Sequence, residues 1–209
     1  MIPEYVIVHN GPVGDQSAGN YYVRYKDYIK NVASSEIYAT WPDDTIRANV
    51  LAIMSFTLNR VYTEWYRNKG YDFTITSSTA YDHKWIYGRN VFDSISRIVD
   101  ELFENYLSRP DVRQPILTQY CDGQRVQCRD RGWMTQWGSK TLGDQGYSPI
   151  EILRLFYGMI CILMWQKKFP EFRLPGPDMI WILGLPGQRF GSFRSRSTQF
   201  PNPIRRFPL

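Results

Sequence analysis

The sequence predicts an α+β domain with two long amphipathic helices and short strands over residues 1–158, followed by an irregular C-terminal tail over 159–209. Two observations define the domain and a third its end. Helical periodicity recurs in two long stretches, and short β-rich runs lie between them without regular strand–helix alternation. After Gly158 the composition changes, with 7 of the 13 prolines falling in residues 159–209.

Tyr5–His9 alternates into a turn at Asn10-Gly11-Pro12 and reads as a strand, and Tyr21–Tyr25, rich in Tyr and Val, reads as a second. The segment from Asp27 to Glu36 predicts a short helix. Pro42 with Asp43 and Asp44 suits the first turn of the next helix. There Ile46, Val50, Ile53, Met54, Leu58, Val61 and Trp65 recur at three and four, with Gly70 as the stop. Phe73–Thr76 reads as a strand. Val91, Ile95, Ile98, Val99, Leu102, Phe103 and Tyr106 predict the second long helix, with Pro110 beyond its end. Pro115–Tyr120 reads as a strand, and Pro149 opens a helix running to about Gly158. No internal repeat is visible.

The chain is long enough to bury a core, and 43% hydrophobic with 16% aromatic residues excludes a disordered class. Its net charge of +5 is confined to the tail. Residues 1–158 hold 17 Lys/Arg against 18 Asp/Glu, and residues 159–209 hold 8 against 2. No basic stripe interleaved with aromatics occurs in the domain, so no nucleic-acid partner is predicted. The first residues lack the pattern of a secretory signal, and the longest apolar run, Met159–Trp165, is too short to span a bilayer. Cys121 and Cys128 flank Asp122-Gly123-Gln124, where a hairpin would bring them together. A disulfide is one possibility, and reduced thiols are the expectation.

Glu36 lies between small residues and the aromatic–proline corner Trp41-Pro42. A carboxyl group in partly apolar surroundings keeps its proton nearer neutral pH, which suits a general acid for glycosidic cleavage. The plain alternative is a solvated glutamate favoured by the dipole of a helix N-terminus.

The run Tyr28-Ile29-Lys30-x-Val32-Ala33-x-x-Glu36-Ile37-x-x-Thr40-Trp41-Pro42, continued by Arg47-Ala48-Asn49 and the helix to Leu58, resembles the signature of the stage II sporulation protein D (SpoIID/LytB) family. About a hundred residues on, Gly132-Trp133-Met134-Thr135-Gln136-Trp137-Gly138-Ser139 resembles that family's second motif, followed by its Gly146–Leu153 helix. The likeness covers about residues 4–158. It implies a peptidoglycan lytic transglycosylase with Glu36 as its single catalytic acid. It equally admits a non-catalytic cell-wall-binding or amidase-enhancing module, whose partners include other cell-wall hydrolases. An inactive fragment is the third reading. The expected partner is a peptidoglycan glycan strand, and the family implies the cell wall or the sporulating-cell envelope as the location.

Within this resemblance Tyr38 and Trp41 are candidate sugar platforms, because flat aromatic faces pack on pyranose C–H faces. Gln136, Trp137 and Ser139 are candidates to line the groove through hydrogen bonds, the alternative being a purely structural tight glycine-bounded turn. Arg47 is a candidate to orient an acid or a sugar carboxylate, and His83 to reach substrate. Asp43, Asp44 and Asp82 are the carboxylates that could approach Glu36. Some family members hold zinc through Cys and His after the long helix. The matching stretch Thr76–His83 has no cysteine, so no metal and no cofactor are predicted. Met54 replaces the family's usual helix arginine. Read one nucleotide out of register, with permitted codons, Asp178–Leu209 can encode a segment resembling a peptidoglycan-binding repeat. The tail is therefore expected to be a frameshifted remnant of such a domain without a selected core.

Overall fold

A computed structural model describes residues 2–159 and 162–165. Strand β1 (Tyr5–His9) pairs antiparallel with β2 (Asn20–Arg24), and the chain passes directly from β2 into helix α1 (Tyr25–Glu36). Helix α2 (Asp43–Tyr62) follows, then a 3-10 turn (Arg67–Lys69), strand β3 (Ile75–Thr76) and helix α3 (Asp93–Leu102). The rest comprises β4 (Asn105–Ser108), β5 (Tyr120–Cys121), β6 (Met134–Thr135), α4 (Gln136–Asp144), α5 (Pro149–Tyr157) and β7 (Ile162–Trp165). Among the described residues the strands form three small sheets, ordered β2-β1-β3, β4-β7 and β5-β6. This is an α+β architecture.

Helix α2 is the axis of the fold. Its periodicity predicts one apolar stripe, but the helix is buried on nearly every side, including Thr45, Asn49, Ser55, Thr57, Asn59 and Arg60. One side packs Ile46, Val50, Ile53 and Leu58 with α1, α3 and the sheet. The other packs Ala48, Leu51 and Ala52 against Leu107, Ile152 and Leu153. Full burial is tolerated because the polar side chains are satisfied. The Leu107 amide donates to Ser55 Oγ (2.8 Å), Asn59 Nδ2 donates to the Pro115 carbonyl (2.8 Å), and Thr118 Oγ1 donates to the Ala52 carbonyl (2.6 Å). No described helix is long and apolar enough to cross a membrane.

Several boundaries differ from expectation for physical reasons. Helix α2 stops at Tyr62 rather than Gly70, because Glu64 adopts a positive φ and the last turn before Gly70 is a separate 3-10 segment. Helix α3 ends at Leu102, and Tyr106 lies in β4, where pairing with β7 replaces the helical ladder. Of Pro115–Tyr120 only Tyr120 joins a strand. The expected turn at Gln136–Ser139 is the first part of α4. Helix α5 begins as predicted, with Pro149 at its start and a reciprocal Ser148–Glu151 capping box.

The tail is not irregular throughout, since Ile162–Trp165 forms β7. The remainder, and with it the expected out-of-register segment Asp178–Leu209 and Cys161, lies outside the described residues. Cys121 and Cys128 are joined by a disulfide with Cα atoms 5.3 Å apart, not left as thiols. The expected hairpin does not form, because β5 pairs in parallel with β6; the loop between the cysteines closes the bridge by itself.

Candidate active site

Glu36 is the last residue of α1, at the opposite end of a helix from that assumed in the plain reading. The dipole there disfavours a carboxylate, so helix capping does not account for the residue. Its side chain is half-buried and engaged on both oxygens. The Lys84 amide donates to Oε1 (2.6 Å), while Tyr120 Oη donates to Oε2 in a short contact, with Gln136 Nε2 at 3.5 Å from the same oxygen. Burial pushes the carboxyl up from 4.5 to about 7, against the lowering effect of the Tyr120 and Lys84 donors. Glu36 is thus poised to exchange a proton near neutrality.

The surrounding segment is held to α1 by polar side chains. Asn31 both donates to the Ile86 carbonyl (2.8 Å) and accepts from the Ile86 amide (3.0 Å). Arg89 Nη2 donates to the Ser34 carbonyl (2.6 Å), and Ser34 Oγ accepts from the Phe92 amide (3.3 Å). These bonds fix the loop that presents the Lys84 amide to Glu36.

Residues from the two sequence motifs meet here. Gln136 approaches Glu36 across a separation of 100 residues. Beside them Tyr38, Trp41 and Trp137 form one aromatic cluster, with ring centroids 5.1–5.8 Å apart. Tyr38 is exposed, Trp137 half-buried and Trp41 buried, so Trp41 supports the other two from the core and is not itself a sugar platform. Gly138 is required by packing: a Cβ there would lie 2.1 Å from Thr135 Oγ1 and 3.2 Å from Phe156 Cζ.

Three other expected site residues serve the scaffold. Ser139 is fully buried, donating to the Gln136 carbonyl (2.6 Å) and accepting from Asn49 Nδ2 (2.8 Å), so it ties α4 to α2. Arg47 forms an ion pair with Glu101 of α3, which also holds Arg97 (2.9 Å). His83 is buried, not in a groove. Its Nδ1 lies 3.0 Å from Tyr28 Oη, its ring stacks on Tyr120 (centroids 5.7 Å, 14°), and Phe56 packs directly against it (centroids 4.5 Å). Burial pulls it down to about 3, so it stays neutral. It backs the Tyr120 ring.

None of the expected second carboxylates joins Glu36. Asp82 is buried against Arg60 (2.9 Å), with Tyr66 Oη and the Thr76 amide and hydroxyl on its other oxygen. Asp43 pairs with Arg97 (2.7 Å), and Asp44 is exposed on the first turn of α2. Among the described residues no group of three or more His, Cys, Asp or Glu is placed to hold a metal ion.

Tyr120 and the Lys84 amide are the functional groups that sequence reasoning missed. A backbone donor leaves no mark in a sequence. Tyr120 stands 84 residues from Glu36 with no motif around it except the neighbouring Cys121. Replacing Tyr120 with Phe removes a donor that favours the charged carboxylate. The Glu36 titration is therefore expected to move further above 7 by about one pH unit, read from carboxyl carbon shifts in a labelled protein. An unchanged or lowered value would show that the phenol does not govern that proton. Comparison of the chain with models of known protein families gives no match, and comparison with curated proteins gives none either.

Proposed function

We propose that this chain is a peptidoglycan lytic transglycosylase of the stage II sporulation protein D type, cleaving glycan strands during wall remodelling or sporulation. The observation that carries the proposal is Glu36: a carboxyl group raised to about 7, held by neutral donors, and brought against Gln136 of the downstream motif beside an aromatic surface.

In this reading protonated Glu36 gives its hydrogen to the bridging glycosidic oxygen as the C1–O bond breaks. Positive charge develops on the muramic acid ring, and the new carboxylate stabilises it. The carboxylate then takes the proton of the same sugar's primary hydroxyl, whose oxygen attacks C1 and closes an anhydro ring. One acid serves both steps and no water enters. Ordinary glycosidases divide this work between two carboxylates, and the engagement of Asp43 and Asp82 elsewhere favours the single-acid route. Tyr120 and the Lys84 amide steady the carboxylate in the interval when it is charged. Tyr38 and Trp137 offer ring faces to the sugars.

Incubation of the protein with purified glycan strands tests this. Anhydro-muramic ends should accumulate, without oxygen taken from labelled water. Hydrolytic ends carrying that label would indicate a two-carboxylate hydrolase. Strand binding with no cleavage would indicate a wall-binding or amidase-enhancing module.

A further inference from the structure

Cys121 directly follows Tyr120, and the two residues constitute the whole of β5. Their ladder partner β6 is equally short and leads directly into Gln136 and Trp137. The loop closed by the Cys121–Cys128 disulfide is joined to both ends of the site. The Trp137 amide donates to the Asp122 carbonyl (3.2 Å), and Gly123, at φ +82°, packs so closely on Thr135 that a Cβ would sit 2.5 Å from the threonine Cβ. Within the loop, the Gln124 and Arg125 amides donate to Asp122 Oδ1 (2.8 and 2.6 Å), and the Gly123 amide donates to the Val126 carbonyl (2.9 Å).

Little else holds this segment. No residue from 121 to 133 belongs to the packed apolar clusters among the described residues, and positions 124–127 are exposed. Segments with few apolar contacts and accessible backbone bonds open at low free energy unless a covalent link restrains them. Both cysteines are half-buried, neither being enclosed in the core.

We propose that the Cys121–Cys128 pair is a redox-modification site that organises the Glu36 site when oxidised and releases it when reduced. The partner is a low-molecular-weight disulfide such as oxidised glutathione. One cysteine thiolate attacks a sulfur of that disulfide and expels one small thiolate, forming a mixed disulfide. The second cysteine thiolate then displaces the other small thiolate. Two protein thiols and one small disulfide become one protein disulfide and two small thiols, so electrons and protons balance. Resting on the reading of Glu36 as the wall-cleaving acid, the switch would keep the chain weakly active in a reducing compartment and active in an oxidising one, where wall glycans lie.

The test uses the full chain in dithiothreitol and in oxidised glutathione, with amide hydrogen exchange and glycan cleavage followed together. Reduction should speed exchange at the Met134 and Trp137 amides by about tenfold or more, leave Val50 and Ile53 of α2 unchanged, and lower cleavage reversibly to a similar extent. A Cys121→Ser/Cys128→Ser variant should behave as the reduced protein in both buffers. Equal exchange at Met134 and Trp137 in the two redox states would overturn the switch, as would cleavage that is present and equal in both. An exchange switch in a chain that cleaves no glycan under oxidising conditions would support the redox coupling and defeat the transglycosylase reading.

Discussion

Glu36→Gln is expected, under the proposed transglycosylase reading, to eliminate the formation of anhydro-muramic ends, with a loss of about a thousandfold or more, because a general acid that also returns as the base would be lost from both proton transfers. The variant should bind glycan strands as wild type does, since Tyr38 and Trp137 are untouched. Wild-type cleavage should be highest below pH 7 and decline by about tenfold per unit above it, as the fraction of protonated Glu36 falls. The same substitution should stabilise the fold at alkaline pH. Native Glu36 retains its proton up to about 7, whereas the unfolded chain releases it near 4.5. The native state therefore binds more protons between these values, and stability falls as pH rises through the window. Glutamine does not titrate, so the advantage of Glu36→Gln should be absent below 4.5, grow across the window and level off above about 7. His83 works in the opposite sense, its neutral burial stabilising above 6.5 and being lost as pH falls toward 3, but it is common to both proteins and cancels in the difference. Urea unfolding across pH reads this directly. A wild type that outlasts Glu36→Gln at pH 8 would contradict a raised titration at this site.

The second large effect is expected at Arg60 and Asp82. Arg60→Met should cost about 3–5 kcal/mol, because it leaves the fully buried Asp82 carboxylate without its cation. Arg60 also lies over the rings of Phe56 and Trp65 (both 4.8 Å from its guanidinium carbon), so a thioether of similar reach preserves part of the packing. The Arg60→Met/Asp82→Asn double variant should lose less than the sum of its single changes, because neither leaves an unpaired charge once both are neutral. Urea midpoints of the four proteins give the coupling. Additive losses would mean that water already screens the pair. Asp82 is followed immediately by His83 and Lys84, so loosening this anchor should also reduce glycan cleavage through the donors that hold Glu36.

Much of the secondary structure was legible from local pattern. Strand β1, the start of α2 and the start of α5 at Pro149 depend on neighbouring residues and appear as expected. The errors have a shared origin. The apolar stripe carried α3 through Tyr106 because that residue of β4 falls on the helical spacing, and only pairing with β7 distinguishes a strand from one more helical turn. The stripe along α2 hid its full burial, because Ser55, Asn59 and Arg60 look solvent-facing until their partners arrive from distant segments. At the site, Glu36 and Gln136 could be singled out from the order and spacing of two motifs. Ser139, Arg47 and His83 could not be separated from groove residues, since a buried tie and a sugar contact use the same side chains.

From its residues alone this chain established an α+β domain of helices and short strands, a change of character after Gly158, and one acid between small and aromatic neighbours as the group to examine. These features are local in the chain, and local sequence encodes them. The tertiary structure decided that Glu36 ends its helix, that Tyr120 and the Lys84 amide hold its oxygens, and that Cys121 is bridged to Cys128. It also decided where the proton resides. A carboxyl group's affinity for hydrogen depends on the water removed around it and the donors aimed at it, and both are supplied by segments that only folding brings together.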